Sequence, residues 1–220
     1  MQPFFISGIG TGIGKTLVAA ILTESLDADY WKPVQAGNEI DKDSNWIAAH
    51  ISNGKSVIHP ESYSFQFAAS PHIAARKENK KIDCRIILDD FSRINTDKPL
   101  IIEGAGGLMV PLNDIEFVVD LVKQMDAKLI LVSRNYLGSI NHSLLTAKLC
   151  RSYGIDVAGW IFNDNYLDYE SEIVSWSGFP SIISIPFLNS LSKDSVCSQA
   201  GQFRTTLRLK LLGDPPFHGE

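Results

Sequence analysis

The sequence predicts an α/β fold with a mostly parallel sheet and helices on both faces. Short apolar runs bounded by turn residues alternate with longer segments of helical pattern, which is typical of βαβ units. The first apolar run leads directly into a glycine-rich loop and then into a helical segment. With 220 residues, of which 45% are hydrophobic, we interpret 1–220 as a single domain with an uncertain tail at 196–220.

Six strands and six helices are predicted along the chain. The strands carry β-branched or aromatic residues at successive positions, as expected when a strand is covered on both faces. They lie at 4–7, 30–34, 100–103, 128–133, 157–163 and 181–185. The helices lie at 14–26, 43–50, 83–94, 117–125, 139–153 and 169–177. Within the tail, only 204–212 has a helical pattern, and we assign the tail no function.

Composition argues against several classes of protein. The chain has 20 Lys and Arg against 25 Asp and Glu, and a net charge of -5 does not favour a general nucleic-acid binder. Cys84, Cys150 and Cys197 match no zinc or disulfide spacing, which favours reduced thiols. The N-terminal apolar stretch is too short for a signal peptide or a membrane span. We therefore expect a cytoplasmic protein without nucleic-acid or membrane partners.

The strongest motif is the loop from Gly8 to Thr16, which lies between the first predicted strand and helix. Glycine backbone N–H groups can surround a phosphate, and the helix adds its positive N-terminal end. This context indicates a P-loop NTPase-like fold, with Lys15 at the β- and γ-phosphates and the Thr16 hydroxyl on Mg²⁺. Five residues separate Gly8 from Gly14, one more than usual. The alternatives are a structural glycine turn and a dinucleotide-binding turn, which would need glycine at position 13.

Charged residues follow two other predicted strands. Lys32 lies near the end of the second strand, and Glu103 ends the third and precedes four small residues. Because the carboxyl ends of parallel strands face the ligand crevice, these residues are candidates for a catalytic cation and a Mg²⁺ ligand. Alternatively, Lys32 is a surface lysine and Glu103 an ordinary turn residue. Asp41 and Asp43 precede a helix, and either is a candidate metal ligand or only an N-cap.

Taken together, these motifs resemble the dethiobiotin synthetase family, the ATP-dependent carboxylase-cyclases of biotin synthesis. The resemblance covers about 4–188 and rests on motifs that occur in the family's order: Gly8 to Thr16, Lys32-Pro33-Val34 with Gly37, Ser70-Pro71-His72, Glu103 to Gly107, Leu137 to His142, and Gly159 to Asp164. The chain departs from residues found in family members at Ile9, Gly12 and Ala36. These departures affect the fine contacts and remove no essential charge.

The resemblance implies roles for the matching residues. For ATP as co-substrate it implies contacts by Gly10, Thr11, Gly12, Ile13, Gly14, Lys15, Thr16, Asn163, Pro186 and Leu188. For Mg²⁺ it implies Thr16, Asp43 and Glu103, with Asp41 as the alternative to Asp43. For catalysis it implies Lys15 and Lys32. For the substrate it implies Lys32, Ala36, Pro71, Gly106, Gly138, Ile140 and Asn141, the last three acting across the interface of a homodimer.

The implied reaction uses ATP, CO₂ and 7,8-diaminononanoate. One amine captures CO₂ as a carbamate, the carbamate attacks the γ-phosphate, and the second amine closes the ureido ring and expels phosphate. Such chemistry depends on positioning and charge neutralisation. The alternatives are a ParA/MinD-like ATPase switch, a related P-loop ligase or amidase, and a silent regulatory domain. The switch proteins carry a second lysine early in the loop, where this chain has Gly10.

Overall fold

A central sheet of parallel strands organises the computed structural model, which describes residues 1–37, 42–164 and 166–214. The strands are β1 (Phe4–Gly8), β2 (Asp29–Trp31), β3 (Val34–Ala36), β4 (Ile58–His59), β5 (Tyr63–Phe65), β6 (Leu100–Gly107), β7 (Lys128–Arg134), β8 (Val157–Asn163) and β9 (Ser181–Ile185). In the described ranges, the central sheet has the order β4-β2-β6-β1-β7-β8-β9, and β3 pairs with β5 in a separate parallel sheet. The predicted parallel α/β architecture is confirmed.

The helices connect these strands and cover the sheet. They are α1 (Lys15–Leu26), α2 (Asp43–His50), α3 (Pro71–Lys77), α4 (Cys84–Arg93), α5 (Val118–Gln124), α6 (Ser139–Tyr153), α7 (Glu170–Ser177) and α8 (Lys193–Leu207). A 3₁₀ turn at Tyr166–Asp168 and a π-helical turn at Arg208–Leu212 complete the described elements. Each of the six predicted helices is present with its ends within one residue of the expected positions.

Two layers of buried side chains lie on the two faces of the sheet. Alternate residues of β1 contribute to each layer, since Phe4 and Ile6 belong to one hydrophobic cluster and Phe5 to the other. The cluster of Phe4 and Ile6 includes most of α1, and that of Phe5 includes residues of α4 and α5. Burial on both faces explains why the strands read as continuous apolar runs.

The predicted strand at 30–34 is wrong in its second half. The chain leaves the central sheet after Trp31, and β3 begins at Val34 in the small sheet. Pro33 between them has no N–H to donate to a ladder, and its carbonyl oxygen accepts a bond from the Tyr63 N–H at 3.0 Å. Lys32 therefore lies where the chain leaves the carboxyl end of β2.

The helix predicted at 204–212 begins too late, because α8 starts at Lys193. Its N-cap is Ser192, whose hydroxyl accepts a hydrogen bond from the Ser195 N–H at 3.2 Å. Val196 and Ala200 are buried on the side of α8 that packs against α1. Among the described helices, none is both long enough and apolar enough to cross a membrane.

Candidate active site

The carboxyl ends of β1, β6 and β2, which are neighbours in the sheet, bring five polar side chains together. We call this group the charged centre, and it consists of Lys15, Thr16, Lys32, Asp43 and Glu103. In the parallel ladders, Ile6 of β1 pairs with Glu103 of β6, and Trp31 of β2 pairs with Ile102. The topology thus places Lys32 and Glu103 side by side although they are 71 positions apart in the sequence.

Three oxygen-bearing side chains of the charged centre converge. The Thr16 hydroxyl oxygen lies 2.8 Å from Asp43 Oδ1 and 3.0 Å from Glu103 Oε1. In the described part of the chain there is no group of three or more His, Cys, Asp or Glu that could hold a metal alone. Mg²⁺ characteristically takes one or two carboxylates and completes its shell with phosphate oxygens and water. A hydroxyl and two carboxylates beside a phosphate-binding loop fit that donor set.

The Lys32 ammonium lies between the two carboxylates. Its Nζ is hydrogen-bonded to Asp43 Oδ2 and lies 3.3 Å from Glu103 Oε1. Burial by itself would lower the pKa of Lys32, but attraction to Glu103 and Asp43 outweighs burial and raises this pKa. Lys32 therefore stays charged in a site that excludes most solvent, where one cation has a large effect on nearby negative charge.

Lys15, the second cation of the charged centre, folds back onto the loop that carries it. Its ammonium donates a hydrogen bond to the Gly10 carbonyl oxygen at 3.0 Å. Burial lowers the pKa of Lys15, and the nearby charge of Lys32 lowers it further, while Glu103 and Asp43 oppose the shift. Two buried ammonium groups that repel each other and line one cavity favour the binding of an anionic ligand there.

Asn163 at the end of β8 braces the same loop. Its side-chain amide donates to the Ile13 carbonyl oxygen at 2.9 Å. Gly14 has φ 92°, and a Cβ at that position would collide with the Asn163 amide. Only glycine satisfies both conditions, because it tolerates a positive φ and leaves room for the neighbouring side chain. Asn163 thus contacts the loop backbone, and its contact with adenine stays a prediction.

Tyr30 is a member of the site that the sequence prediction missed. Its side chain is fully buried, and its hydroxyl donates to Glu103 Oε2 at 2.9 Å. Burial and the adjacent Glu103 carboxylate raise the pKa of Tyr30 well above its ordinary value, so the hydroxyl remains a donor. Glu103 Oε2 is thereby engaged, and Oε1 is the oxygen that faces Thr16 and Lys32. The sequence signal was only a tyrosine two residues before a candidate lysine.

A cavity of about 1090 Å³ opens onto the charged centre. One group of lining residues, which we call the small-residue wall, consists of Ala36, Ala68, Ala69, Ser70, Pro71, Ala105, Gly106 and Val110. The other, which we call the aromatic wall, consists of Leu17, Asn45, Trp46, Ala49, His50 and Leu191. Since ligand pockets commonly measure about 300–1,000 Å³, this cavity has room for a nucleotide and a second small molecule.

The structure brings most of the predicted site residues to this cavity. Those that line it are Thr11, Gly12, Gly14, Lys15, Thr16, Lys32, Ala36, Asp43, Pro71, Glu103 and Gly106. The predicted residues that lie outside its described lining are Gly10, Ile13, Asn163, Pro186, Leu188, Gly138, Ile140 and Asn141. Asp41, the alternative to Asp43, lies outside the described residues. Asp43 lies against Thr16 through the hydrogen bond given above.

The predicted substrate residues at the start of α6 form a separate surface. Gly138, with φ 102°, is the residue that precedes the helix, and the adjacent Leu137 is 97% exposed. Tyr136 and Tyr169 anchor this turn, since the Tyr169 hydroxyl donates to the Tyr136 carbonyl oxygen at 2.9 Å. A fixed helix N-terminus beside an exposed leucine suits contact with another molecule.

The glycine-rich loop, its lysine and the buried carboxylates on a parallel sheet define a P-loop nucleotide-binding protein. A family model described as "AAA domain" matches residues 2–195. Among solved structures, the MinD cell division protein of Aquifex aeolicus has TM-score 0.58 at 15% identity, covering 98% of each chain. A ParA family ATPase of Chlorobium tepidum has TM-score 0.57, also at 15% identity, covering 95% of this chain and 93% of the other. Such distant likeness shows the fold alone.

Relatives identified by sequence are much more similar to this chain than those solved structures are. An ATP-dependent dethiobiotin synthetase of Cytophaga hutchinsonii is 47% identical, covering 91% of this chain and 96% of that protein. Proteins with the same description from Agrobacterium fabrum and Rhodopseudomonas palustris are 40% and 39% identical, covering 90% and 97% of their own lengths and 88% and 96% of this chain. The chain belongs to the ATP-dependent dethiobiotin synthetase family. The predicted family is confirmed, and the resemblance to ParA and MinD is one of fold.

Proposed function

We propose that this chain carboxylates 7,8-diaminononanoate with CO₂ and closes its ureido ring at the expense of ATP, giving dethiobiotin, ADP and phosphate. The main support for the proposal is the charged centre, in which Lys32 contacts Asp43 and Glu103 while Lys15 is hydrogen-bonded to the P-loop itself. The chain's family supports the choice of reaction over other P-loop chemistries. Positioning and charge neutralisation are what a phosphoryl transfer to a carbamate requires.

Thr16, Asp43 and Glu103 are the proposed Mg²⁺ ligands. The Thr16 hydroxyl oxygen lies 2.8 Å from Asp43 Oδ1 and 3.0 Å from Glu103 Oε1, which supports a shared site. When bound, Mg²⁺ would neutralise charge on the phosphates of ATP. Tyr30 keeps one Glu103 oxygen occupied, which supports ligation through the other oxygen only.

Lys15 and Lys32 are the proposed catalytic cations. A carbamate oxygen forms the new bond to the γ-phosphorus as the bond to ADP breaks, and negative charge is then spread over the transferring group. The second amine next attacks the carbamoyl carbon, the bond to phosphate breaks, and the amine proton leaves with phosphate or to water. We assign Lys15 to the phosphate side of the reaction and Lys32 to the carbamate side. Both act as fixed charges, which cost no reorganisation during the reaction.

The remaining ligand contacts follow the walls of the cavity. We assign the aliphatic diamine to the small-residue wall, where Ala36, Pro71 and Gly106 line the same cavity as Lys32. We assign the triphosphate to residues 10–16 and adenine to Asn163, Pro186 and Leu188. Support for the adenine assignment comes from Leu191, which lies in the same loop as Pro186 and Leu188 and lines the cavity.

A homodimer is also part of the proposal, with Gly138, Ile140 and Asn141 of each chain binding the substrate carboxylate in the partner's site. The start of α6 offers backbone N–H groups and the positive end of a 15-residue helix. Leu137, nearly fully exposed, and Leu145, 57% exposed on α6, supply apolar surface for an interface. We place the protein in the cytoplasm, consistent with its three free cysteines.

Phosphate release from Mg-ATP with bicarbonate, measured with and without 7,8-diaminononanoate, tests the proposal. We expect release only with the diamine, and a product whose mass shows one carbonyl bridging both nitrogens. ATP hydrolysis that does not depend on the diamine would contradict the proposed synthase activity and favour an ATPase switch. The Lys15→Ala variant is the control for release by a contaminating ATPase, because it removes the P-loop cation.

A further inference from the structure

Two aromatic side chains of α2 form a rigid pair on the cavity surface. The rings of Trp46 and His50 are stacked, with centroids 3.9 Å apart and an angle of 14° between their planes. Nδ1 of His50 lies 2.7 Å from the Trp46 carbonyl oxygen, which fixes the imidazole on its own helix. Both residues are only partly buried and line the cavity. Their ring surface is therefore presented to a ligand in a fixed orientation.

The position of the pair relative to the charged centre indicates which part of a ligand it meets. Asp43 begins α2, and Trp46 and His50 follow it by three and seven residues, so all three lie on one side of the helix. Seven residues of α-helix rise by about 10 Å. This length is comparable to the separation of the inner phosphates from the base in an extended nucleotide. A triphosphate held at Thr16 and Lys15 would bring its base to the aromatic wall.

The other residues of the aromatic wall suit a flat apolar group. Leu17 follows Thr16 in α1, and Leu191, 55% exposed, comes from the loop between β9 and α8. The ionic side chains of the cavity lie at the charged centre. The end of α2 is tied to α8, since the Cys197 thiol lies 3.8 Å from the His50 carbonyl oxygen. The wall is thus supported from two helices.

We propose that Trp46, braced by His50, packs against the nucleobase of the bound nucleotide and favours a purine over a pyrimidine. The inference rests on the proposed binding of ATP at the P-loop and adds a specificity-determining contact to it. A purine offers a larger ring surface for stacking than a pyrimidine does. Stacking of a base on an aromatic side chain has a substantial, measurable effect on affinity. Selectivity therefore depends on the ring at position 46.

The test is binding of Mg-ADP and Mg-CDP to the full chain, followed by tryptophan fluorescence and calorimetry. We expect ADP to quench the fluorescence of Trp46. The other tryptophans should not respond, because Trp31 and Trp160 are buried and Trp176 does not line the cavity. Trp46→Leu should abolish the quenching and raise the dissociation constant for ADP about 5- to 20-fold, and that for CDP less than about 3-fold. Trp46→Phe, which keeps a ring, should retain most of the affinity for ADP.

Trp176→Phe is the matched control, since it removes an exposed tryptophan outside the cavity and should change neither the affinity nor the quenching. Equal weakening of ADP and CDP by Trp46→Leu, or unchanged ADP binding, would overturn the inference. A raised KM for the diamine with ADP binding intact would also overturn it by placing the rings at the acceptor. Selective ADP binding without diamine-dependent turnover would reject the proposed function and leave this inference standing.

Discussion

The charged centre and the aromatic wall belong to one cavity but are held together in different ways. In the charged centre, Glu103 contacts Thr16, Tyr30 and Lys32 at once and is almost completely buried. In the aromatic wall, Trp46 and His50 interact with each other through ring surface and remain partly exposed. Removing one member of the first group leaves a buried charge without its partner, whereas removing one ring of the second only reduces contact area.

This difference implies that the two regions have different roles. The charged centre should govern turnover and metal dependence, because we propose that its groups act where charge develops in the reaction. The aromatic wall should govern which nucleotide binds, because its groups act through shape and surface. Substitutions in the charged centre should therefore change mainly kcat, and substitutions in the aromatic wall should change mainly the affinity for the nucleotide.

The largest effect is expected for Lys32→Ala. We expect kcat to fall on the order of 10²- to 10³-fold, because a fixed cation is lost from a solvent-poor site. The dissociation constant for ADP should change by less than about 3-fold, since Lys15 and the loop remain. Steady-state kinetics and ADP titration of the same preparation measure both quantities. Comparable losses in turnover and in ADP binding would show that Lys32 serves nucleotide binding and not catalysis.

Glu103→Gln should act next most strongly, through the metal. The amide keeps the shape of the side chain but loses the negative charge, and the variant should need about 10- to 100-fold more Mg²⁺ for half-maximal rate. Titration of Mg²⁺ at fixed ATP provides the measurement. Asp43→Asn is the matched variant on α2 and should shift the Mg²⁺ requirement in the same direction. An unchanged Mg²⁺ requirement in both variants would remove these carboxylates from the metal site.

Tyr30→Phe tests whether a residue behind the charged centre positions Glu103. Loss of a buried hydrogen bond to a carboxylate should cost about 1.5–3 kcal/mol of stability, and the midpoint of thermal unfolding should fall by several degrees. The Mg²⁺ requirement should rise by a few-fold, because Glu103 loses its orientation. Tyr63→Phe is the control, since the Tyr63 hydroxyl bonds to Asp83 N and not to the site. It should lower stability without changing the Mg²⁺ requirement.

The smallest effect concerns the cysteines, which lie outside both regions. Burial raises the pKa of Cys84 and of Cys150 to about 12 in each case, so both thiols stay protonated at pH 8. Cys197 is partly exposed at the contact between α8 and α2. Brief treatment with iodoacetamide should therefore label Cys197 first, as mass mapping would show, with little loss of turnover. Early labelling of Cys84 or Cys150 would contradict the packing described for them.

The fold was largely predictable because its signals are local. Strands buried on both faces appear in the sequence as apolar runs, and the loop ending in Lys15-Thr16 indicates the strand before it and the helix after it. The errors occur where contacts between residues distant in the sequence determine the local structure. The small sheet of β3 and β5 pairs short segments 29 residues apart, and neither segment has a strong pattern. The start of α8 depends on packing against α1, which the sequence alone does not reveal.

The site was predictable to the extent that charge is unusual at the end of an apolar strand. Lys32 and Glu103 stood out for that reason. Tyr30 did not, because a tyrosine in a strand is ordinary and its partner Glu103 is 73 positions away. Trp46 did not stand out either, because an aromatic residue on a short helix is more often part of the core.

The most direct test of the proposed role of the charged centre compares wild type with Lys32→Ala for dethiobiotin formed and phosphate released in the same reaction. We expect one phosphate for each ring closed in wild type, and a parallel fall of both products in the variant while ADP binding persists. Phosphate release that continues in the variant without dethiobiotin would contradict the expected parallel fall and would limit Lys32 to the coupling of hydrolysis to ring closure. Phosphate release without dethiobiotin in wild type would contradict the central claim that the charged centre serves ring closure.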